Sequence, residues 1–382
     1  MRIVLGESTE HAREEEFLDG QLTIVSRDGL HPKQRAILPL LPKNKTGRAL
    51  VINSDYAVLG LALRAGNPEL EIVCHYDDAW PAELAQSMIA RNSAVNIEFS
   101  LAPDPPAGPW QYVVLPLERR GIADLVRERL RLAAGEQLGP QGLLITSSDT
   151  KDDRFIRDEV KKAFGALHTA PEDRRRGGVA YVARKPAKLL VAPPRSWSEY
   201  TIREGGETLK FESRLGVFCH DRLDPGSHAL MSLMDVSCAR RILDLGCGNG
   251  VVGIVAALRN SDARVTFIDA NARAIESTQR NLASYNLAGR ADAVLLSANP
   301  VEALSTLPRF DLVITNPPYY GNWRIAELFL KTAEAVLAPG GVLQLVTKAP
   351  HWYREQMEDT FSDLHEGCKG GYTVITATRV GA

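Results

Sequence analysis

The decisive stretch reads Arg241-Ile242-Leu243-Asp244-Leu245-Gly246-Cys247-Gly248-Asn249-Gly250. Its apolar start predicts a strand, and apolar residues at helical spacing follow the last glycine. A strand, a glycine-rich loop and a helix in this order are typical of the first part of a doubly wound α/β sheet. The glycines let the backbone come close to a ligand at the carboxyl end of the strand. They stand at every second position, so the G-x-G-x-x-G spacing of dinucleotide sites is absent.

An acidic residue closes the next predicted strand, Arg264 to Ile268. This residue, Asp269, lies 25 positions after Asp244, and a carboxylate there can accept both hydroxyls of a ribose. The glycine loop together with Asp269 resembles the S-adenosylmethionine site of Rossmann-like methyltransferases. That resemblance implies S-adenosylmethionine as the cofactor. A glycine-rich turn in another kind of α/β enzyme is the alternative.

A second motif, Asn316-Pro317-Pro318-Tyr319, follows the apolar strand Leu312 to Ile314. A parallel strand delivers Asn316 to the same carboxyl edge of the sheet as the glycine loop. The prolines remove two backbone donors and keep the chain extended, so the carbonyls of Asn316 and Pro317 are left to accept hydrogen bonds. An amide, a carbonyl and an aromatic face suit a planar exocyclic amine. The tetrapeptide is similar to the catalytic motif of methyltransferases that modify exocyclic or amide nitrogens, and a proline turn is the alternative.

Composition is that of a soluble globular protein, and a length of 382 residues predicts two domains. No apolar run approaches ~18 residues and the start has no signal-peptide pattern, so we expect no membrane segment and a cytoplasmic location. The five cysteines lack C-x-x-C spacing and the histidines form no ligand pair, which predicts no metal site. A net charge of -2 does not by itself indicate a nucleic-acid-binding protein.

Two segments without acids could nevertheless face phosphates, although a solvated surface is the alternative for each. Their cations are Lys33, Arg35, Lys43, Lys45 and Arg48 in the first segment, and Arg174, Arg175, Arg176, Arg184, Lys185 and Lys188 in the second.

The chain also contains an internal repeat. Ser26 to Pro32 aligns without a gap with Cys219 to Pro225, 193 positions later. With small shifts, Trp110 to Pro116 falls on Phe310 to Asn316. A period this long predicts a duplicated domain rather than a solenoid, and both copies should alternate strand and helix.

The first copy lacks the residues that would perform chemistry. Val51 to Ala57 occupies the positions of the glycine loop and contains no glycine. Tyr76 stands in place of Asp269, and Pro116 stands in place of Asn316. We therefore predict that the first copy keeps the fold without the reaction. A divergent second active site is the alternative.

These observations predict an α/β protein of two tandem Rossmann-like methyltransferase domains, produced by duplication, with the first one degenerate. A proline-containing linker, Leu190 to Trp197, joins them. Residues 1–190 are predicted to form the degenerate domain and residues 191–382 the catalytic domain. In the catalytic domain the third strand ends near Asn299, a candidate contact for the adenine amine of the cofactor. The acid-rich start, Glu7 to Glu16, is expected to be an exposed helix or a mobile end.

Taken whole, the chain resembles the RsmC/RlmG-type ribosomal RNA guanine-N2 methyltransferases over almost its full length. The likeness rests on the duplication, the degenerate first copy, the block Gly216 to Ser227 and the two motifs above. The chain departs from the pattern of the family at Cys219-His220, at Tyr320 and at Lys348 to Tyr353. These departures bear on the target nucleotide more than on the reaction.

The resemblance implies two groups of site residues. The cofactor group would line the methionine and ribose parts, support the loop, accept the ribose hydroxyls or lie nearby: Gly246, Gly248, Gly250, Asp244, Asp269, Asp224 and Ser227. The catalytic group would bind the guanine N2 amine and stack on the ring: Asn316, Pro317, Pro318 and Tyr319.

The resemblance implies ribosomal RNA or a ribosomal subunit as the partner, with residues 1–190 docking the RNA. The chain is expected to act as a monomer. Three other functions compete with this one. The motif Asn-Pro-Pro-Tyr also serves N5-methylation of protein glutamine, but those enzymes are not expected to carry a degenerate copy of their own domain. Adenine or cytosine N-methylation is the next. A cofactor-binding RNA assembly factor without turnover is the last, and the intact tetrapeptide disfavours it.

Overall fold

In a computed structural model of the chain, the described residues are 2–5, 13–17, 22–26, 29–94, 96–170, 177–296, 300–318 and 323–381. The chain divides into two compact units, unit 1 (Met1–Ser196) and unit 2 (Trp197–Ala382). This division lies six residues beyond the join at 190/191 that the sequence suggests. Ser196 still belongs to unit 1 because its hydroxyl donates to Glu128, at 2.5 Å.

The described strands and helices of unit 1 alternate after a short strand-rich start. The strands are β1 (Arg2–Leu5), β2 (Arg13–Phe17), β3 (Leu22–Ser26), β4 (Gly47–Ile52), β5 (Leu70–Tyr76), β6 (Ile97–Leu101), β7 (Trp110–Pro116), β8 (Leu138–Ser148), β9 (His168–Thr169) and β10 (Val179–Arg184). The α-helices are α1 (Pro32–Ile37), α2 (Val58–Gly66), α3 (Ala79–Arg91), α4 (Ala123–Leu132) and α5 (Arg154–Phe164).

Unit 2 begins with a hairpin and then follows the same alternation. Its described strands are β11 (Trp197–Glu204), β12 (Glu207–Arg214), β13 (Arg241–Leu245), β14 (Arg264–Asp269), β15 (Ala291–Leu295), β16 (Phe310–Thr315), β17 (Leu337–Thr347), β18 (Phe361–Lys369) and β19 (Tyr372–Arg379). Its described helices are α6 (Pro225–Leu233), α7 (Val251–Arg259), α8 (Ala272–Ser284), α9 (Pro300–Leu304), α10 (Arg324–Val336) and α11 (Pro350–Met357).

The main sheets of the two units have the same topology. The strand order is β6-β5-β4-β7-β8-β10-β9 in unit 1 and β15-β14-β13-β16-β17-β19-β18 in unit 2. In each sheet the first five strands are parallel, and the last two run antiparallel to their neighbours. The predicted pair of Rossmann-like α/β domains is therefore confirmed.

A close contact inside unit 1 has a counterpart at the corresponding position inside unit 2. A Cβ on Gly60 would collide with the sulfur of Cys74, and a Cβ on Gly253 would collide with the ring of Phe267. Both glycines and both contacted residues are related by the offset of 193. Each glycine lets its helix pack directly on the neighbouring strand. The two units thus share their packing at these positions as well as their sequence pattern.

The core of unit 2 lies on both faces of its sheet. Alternate residues of β13 point to opposite faces, so Ile242 and Leu243 belong to two different buried clusters. Helices α6, α7 and α8 cover one face, and helices α10 and α11 cover the other. Burial on both faces explains why adjacent residues are apolar at Ile242 and Leu243 in β13 and at Leu312 to Ile314 in β16.

The acid-rich start does not form the predicted helix where it is described. Arg13–Phe17 is a strand that pairs antiparallel with β3. Glu14 and Glu16 are exposed on one face of this strand, and Glu15 forms an ion pair with Arg35 at 2.7 Å. In a strand, side chains alternate between the two faces, so Glu14 and Glu16 face solvent while Glu15 faces Arg35.

No helix in the described ranges is long and apolar enough to cross a membrane. Among the same residues, no group of three or more His, Cys, Asp or Glu side chains is arranged to bind a metal ion.

Candidate active site

The glycine loop adopts the backbone that its sequence requires. Gly246, Gly248 and Gly250 have φ angles of 72°, 58° and 83°, in the left-handed region that favours glycine. A Cβ on Gly246 would lie 2.8 Å from the ring of Phe329, and a Cβ on Gly250 would lie 2.9 Å from Thr278. A Cβ on Gly248 would have no described atom within 4 Å. The middle of the loop thus faces open space while its two ends are packed.

Two buried or half-buried carboxylates fix this loop. Oδ2 of Asp244 accepts a hydrogen bond from the backbone N–H of Gly253 at 2.8 Å, which ties β13 to α7. Burial raises the pKa of Asp244 to about 7. Asp269 accepts from the N–H groups of Gly248 and Asn271, both at 2.9 Å, and burial raises its pKa as well. Asp244 therefore lies beneath the loop, whereas Asp269 is half-exposed beside Gly248.

The side-chain amide of Asn316 is anchored on its nitrogen side. Nδ2 donates to Oδ2 of Asp224 at 2.8 Å and to Oγ of Ser227 at 3.0 Å. The same Asp224 oxygen accepts from the N–H of Ser227 at 2.8 Å and caps the start of α6. A carboxylate oxygen is an acceptor, so the amide nitrogen must face Asp224 and Oδ1 must point the other way.

Strand pairing brings Asn316 beside the glycine loop. Leu245 pairs with Thr315 in the parallel register of β13 and β16, and Oγ1 of Thr315 donates to the carbonyl of Leu245 at 2.7 Å. The residues that follow, Gly246 and Asn316, therefore leave the sheet at the same edge. This is the point where the strand order reverses, where ligands of open α/β sheets bind.

The remaining predicted residues are placed only in part. Pro317 is buried and Pro318 is exposed directly after Asn316. Tyr319 and Asn299 lie outside the described residues, so their roles stay predictions.

Several residues near the loop were not anticipated from the sequence. Asn249 donates through Nδ2 to the hydroxyl of Tyr200 at 2.8 Å, which links the loop to the β11–β12 hairpin. Phe329 and Thr278 pack against the two outer glycines, as described above. No motif marks these residues, because each acts through its position in a neighbouring helix or hairpin.

Unit 1 keeps a left-handed backbone at the two outer positions of this loop without the glycines. At the offset of 193, Asn53 corresponds to Gly246 and Ala57 to Gly250, and their φ angles are 49° and 53°. Tyr76, which corresponds to Asp269, is fully buried and donates its hydroxyl to the carbonyl of Ser54 at 2.6 Å. A buried phenol thus replaces the carboxylate at this strand end.

An ion cluster lies beside the same loop of unit 1. Lys33 is 6% exposed and contacts the carboxylates of Asp55 and Glu118, at 3.1 and 2.5 Å. Gln34 donates to the carbonyl of Asp55 at 2.9 Å. The hypothesis that Lys33 faces phosphate is therefore wrong, because its ammonium group is buried against two acids.

Other cations of the two basic segments are also engaged. Arg48 stacks over the ring of Trp110, 4.2 Å from its centroid, and the ammonium of Lys185 donates to the carbonyls of Gly135 and Leu138. The three cations Lys45, Arg184 and Lys188 are exposed. Arg174 to Arg176 lie outside the described residues.

Comparison with known proteins identifies similar chains over both units. The family described as "Methyltransferase small domain" matches residues 208–376. The ribosomal RNA large subunit methyltransferase G of Pseudomonas syringae pv. tomato is 28% identical over 336 residues, which cover 84% of each chain. The ribosomal RNA small subunit methyltransferase C of Mannheimia succiniciproducens is 28% identical over 253 residues, 65% of this chain and 70% of that protein.

One solved structure has the same two-unit fold. It is the T. thermophilus 16S rRNA N2 G1207 methyltransferase (RsmC) in complex with AdoMet and guanosine. The TM-score is 0.71, the identity is 24%, and the match covers 90% of this chain and 91% of that one.

Proposed function

We propose that the chain belongs to the RsmC/RlmG family of methyltransferases and that it transfers a methyl group from S-adenosylmethionine to the exocyclic N2 of a guanine in ribosomal RNA. Unit 2 performs the reaction. The relatives named above support ribosomal RNA as the substrate, and the arrangement around Asn316 supports an amine as the acceptor.

The residues of the glycine loop fit the cofactor. A Cβ on Gly248 would project into open space, which leaves room for a ligand to lie against the loop. Asp269 lies at the border of that space and accepts from the backbone N–H groups of Gly248 and Asn271. A carboxylate offers about four lone-pair sites, which leaves capacity for a ribose hydroxyl. Bound S-adenosylmethionine would supply an electrophilic methyl group at this edge. Asn299 is proposed to contact its adenine.

The observation on which the reaction rests is the orientation of Asn316. Its amide nitrogen is committed to Asp224 and Ser227, so Oδ1 is presented to the opposite side as an acceptor. An acceptor in that direction suits the N–H groups of an exocyclic amine. The carbonyl of Pro317, which follows two residues after Thr315, would provide a second acceptor.

Two acceptors on the amine hydrogens stabilise the positive charge that builds on nitrogen during attack. They also fix the direction of the nitrogen lone pair, and alignment at about 3–3.5 Å is the geometry such transfers need. Tyr319 is proposed to stack on the guanine, a contact worth ~1–3 kcal/mol. A paired base would have to leave its stack first, at a cost of a few kcal/mol.

We propose that unit 1 binds no cofactor and instead docks RNA. Support for the first part comes from Tyr76, which fills the strand end, and from the cluster of Lys33, Asp55 and Glu118 beside the loop. Support for docking comes from the exposed cations Lys45, Arg184 and Lys188. Neutralising all three should raise the KM for RNA and leave cofactor affinity unchanged. A monomer would suffice, since the loop, Asp224, Ser227 and Asn316 all come from one unit.

The test is transfer of a tritiated methyl group from S-adenosylmethionine to ribosomal RNA and to ribosomal subunits of a deletion strain, followed by nucleoside analysis. Label in N2-methylguanosine is expected. Label only in protein glutamine would replace the proposal by the glutamine alternative, and label in methylated adenosine or cytidine would move it to another base. Cofactor binding without any transfer would indicate an assembly factor.

A further inference from the structure

Three aromatic rings form a ladder from the core of unit 2 to its surface. Tyr353 is 1% exposed, and Trp352 meets it edge to face with centroids 4.9 Å apart. Trp323 stacks on Trp352 with centroids 4.6 Å apart and planes 15° apart. Trp323 itself is 42% exposed. The outermost indole is therefore supported from below and accessible from solvent.

The ladder stands at the edge of the sheet that carries the candidate active site. Trp323 directly precedes α10, the helix that follows the Asn-Pro-Pro-Tyr motif, and Trp352 lies on α11, which follows the neighbouring strand β17. Further along α10, Phe329 packs at Gly246 of the glycine loop. Phe329 lies six positions after Trp323 along the helix, a rise of about 9 Å.

The segments that supply the ladder are cationic. Residues 312–326 and 335–354 contain no Asp or Glu, although the whole chain has a net charge of -2. Arg324, Lys348 and His351 are exposed in these segments. The next carboxylate after Trp323 belongs to Glu327, one turn further along α10, and it is paired with Lys331 at 2.6 Å. An exposed aromatic face on segments that contain cations and no carboxylate suits a nucleotide, whose base offers a π-face and whose phosphate is negative.

We propose that Trp323, supported by Trp352, is a stacking platform for an unpaired nucleotide next to the target guanine. The inference rests on the function proposed above, because it assumes an RNA substrate. The platform engages a flanking base, whereas Tyr319 is assigned to the target base. It binds single-stranded RNA in preference to a duplex, since only an unpaired base can offer its face to an indole.

The test compares kcat and KM on protein-free ribosomal RNA, or on the smallest fragment that the wild-type protein modifies. Trp323→Ala should raise the KM for RNA by about 5- to 140-fold, the equivalent of ~1–3 kcal/mol. Trp323→Phe keeps a π-face and should recover most of the loss. The affinity for S-adenosylhomocysteine should not change in either variant. Leu307→Ala is the matched control, because Leu307 is 39% exposed and precedes β16 at the opposite edge of the sheet.

Three results would overturn the inference while leaving the proposed function intact. One is a KM for Trp323→Ala within twofold of wild type, and another is an equal loss in Leu307→Ala. The third is a parallel loss of S-adenosylhomocysteine affinity, which would make the indole a structural support of the cofactor loop. A defect seen only on assembled subunits would identify a protein partner instead. If the wild-type protein modifies no RNA at all, the proposed function itself fails.

Discussion

Nδ2 of Asn316 donates to Oδ2 of Asp224 across 2.8 Å, although the two residues are 92 positions apart in the chain. One end of this hydrogen bond follows strand β16, and the other is the residue that caps α6. The contact fixes the orientation of the amide, with Nδ2 towards Asp224 and Oδ1 away from it. The segment before β13, which contains Asp224, is therefore hydrogen-bonded directly to the tetrapeptide after β16, which begins with Asn316.

The amide of Asn316 should be needed for transfer and not for cofactor binding. Asn316→Ala removes Oδ1 as an acceptor for the amine, and loss of one preorganised group of this kind costs about 100- to 1,000-fold in kcat. The affinity for S-adenosylhomocysteine, measured by calorimetry, should stay within threefold of wild type. Unchanged transfer in Asn316→Ala would remove Asn316 from the mechanism.

Asp224 should act as a positioning residue through Asn316. Asp224→Asn keeps an oxygen that can accept from Asn316 and from Ser227, so we expect kcat within about threefold of wild type. Asp224→Ser keeps a good helix cap but is too short to reach the amide. It should lose about tenfold in kcat, close to the worth of one hydrogen bond, with KM and Tm little changed. Equal kcat in the two variants would contradict the role.

Gly248 should be required for the cofactor rather than for the fold. Gly248→Ala places a methyl group in the open space at the loop, where it meets no described atom within 4 Å. The strain of a left-handed alanine is roughly 1–2 kcal/mol, so Tm should fall by a few degrees. We expect the Kd for S-adenosylhomocysteine to rise more than tenfold.

The control for that substitution is Gly340→Ala. Gly340 has a φ of 75° and is equally open, but it lies near the start of β17, away from the carboxyl edge. It should show the same loss of Tm with an unchanged Kd. Equal Kd values in the two variants would mean that the loop does not contact the cofactor.

Local pattern was sufficient for the fold of unit 2 and for the position of the glycine loop and Asn316 at one edge of its sheet. The glycine loop needs a left-handed backbone, and its glycines indicate this in the sequence. Asn316 needs a parallel strand before it, and the apolar run Leu312 to Ile314 indicates that strand. The degenerate loop of unit 1 was also visible, since glycine is missing from Val51 to Ala57. These features are local in the chain, so sequence reasoning reaches them.

Contacts between distant segments could not be predicted in the same way. Asp224 and Ser227 were expected near the cofactor, but the sequence does not show that they bind the amide of Asn316. Lys33 looked like part of a basic patch because its two acidic partners, Asp55 and Glu118, lie 22 and 85 positions away. Ion pairs of this kind depend on the fold and not on the residues adjacent in the sequence.

The chain should bind one cofactor per molecule. Asp269→Ala removes the carboxylate beside Gly248 and should abolish the single binding event in a calorimetric titration with S-adenosylhomocysteine. Tyr76→Phe leaves that event unchanged, because the residue fills the equivalent position of unit 1. It should lower stability by about 1–3 kcal/mol, since the buried carbonyl of Ser54 loses its donor. A stoichiometry of two, or residual binding in Asp269→Ala, would indicate a second site in unit 1.

Stability should fall as the pH rises towards 7, and Asp244 should account for part of that fall. Burial raises its pKa to about 7, whereas an unfolded aspartate titrates near 3.9. Between these values the folded chain binds more protons than the unfolded chain, so each increase in pH removes stability until the folded group has ionised. A shift of about three units corresponds to at most ~4 kcal/mol.

Calorimetric Tm values between pH 5 and pH 8 test this prediction. Asp244→Asn cannot ionise and still offers an acceptor to the N–H of Gly253, so its Tm should decline less over this range than that of wild type. Some decline should remain, because burial also raises the pKa of Asp269. Asp235→Asn is the control, since hydrogen bonds from Ser237 lower the pKa of Asp235 and place its titration below the tested range. If Asp244→Asn and Asp235→Asn follow the same curve, the buried carboxyl of Asp244 is not the source of the pH dependence.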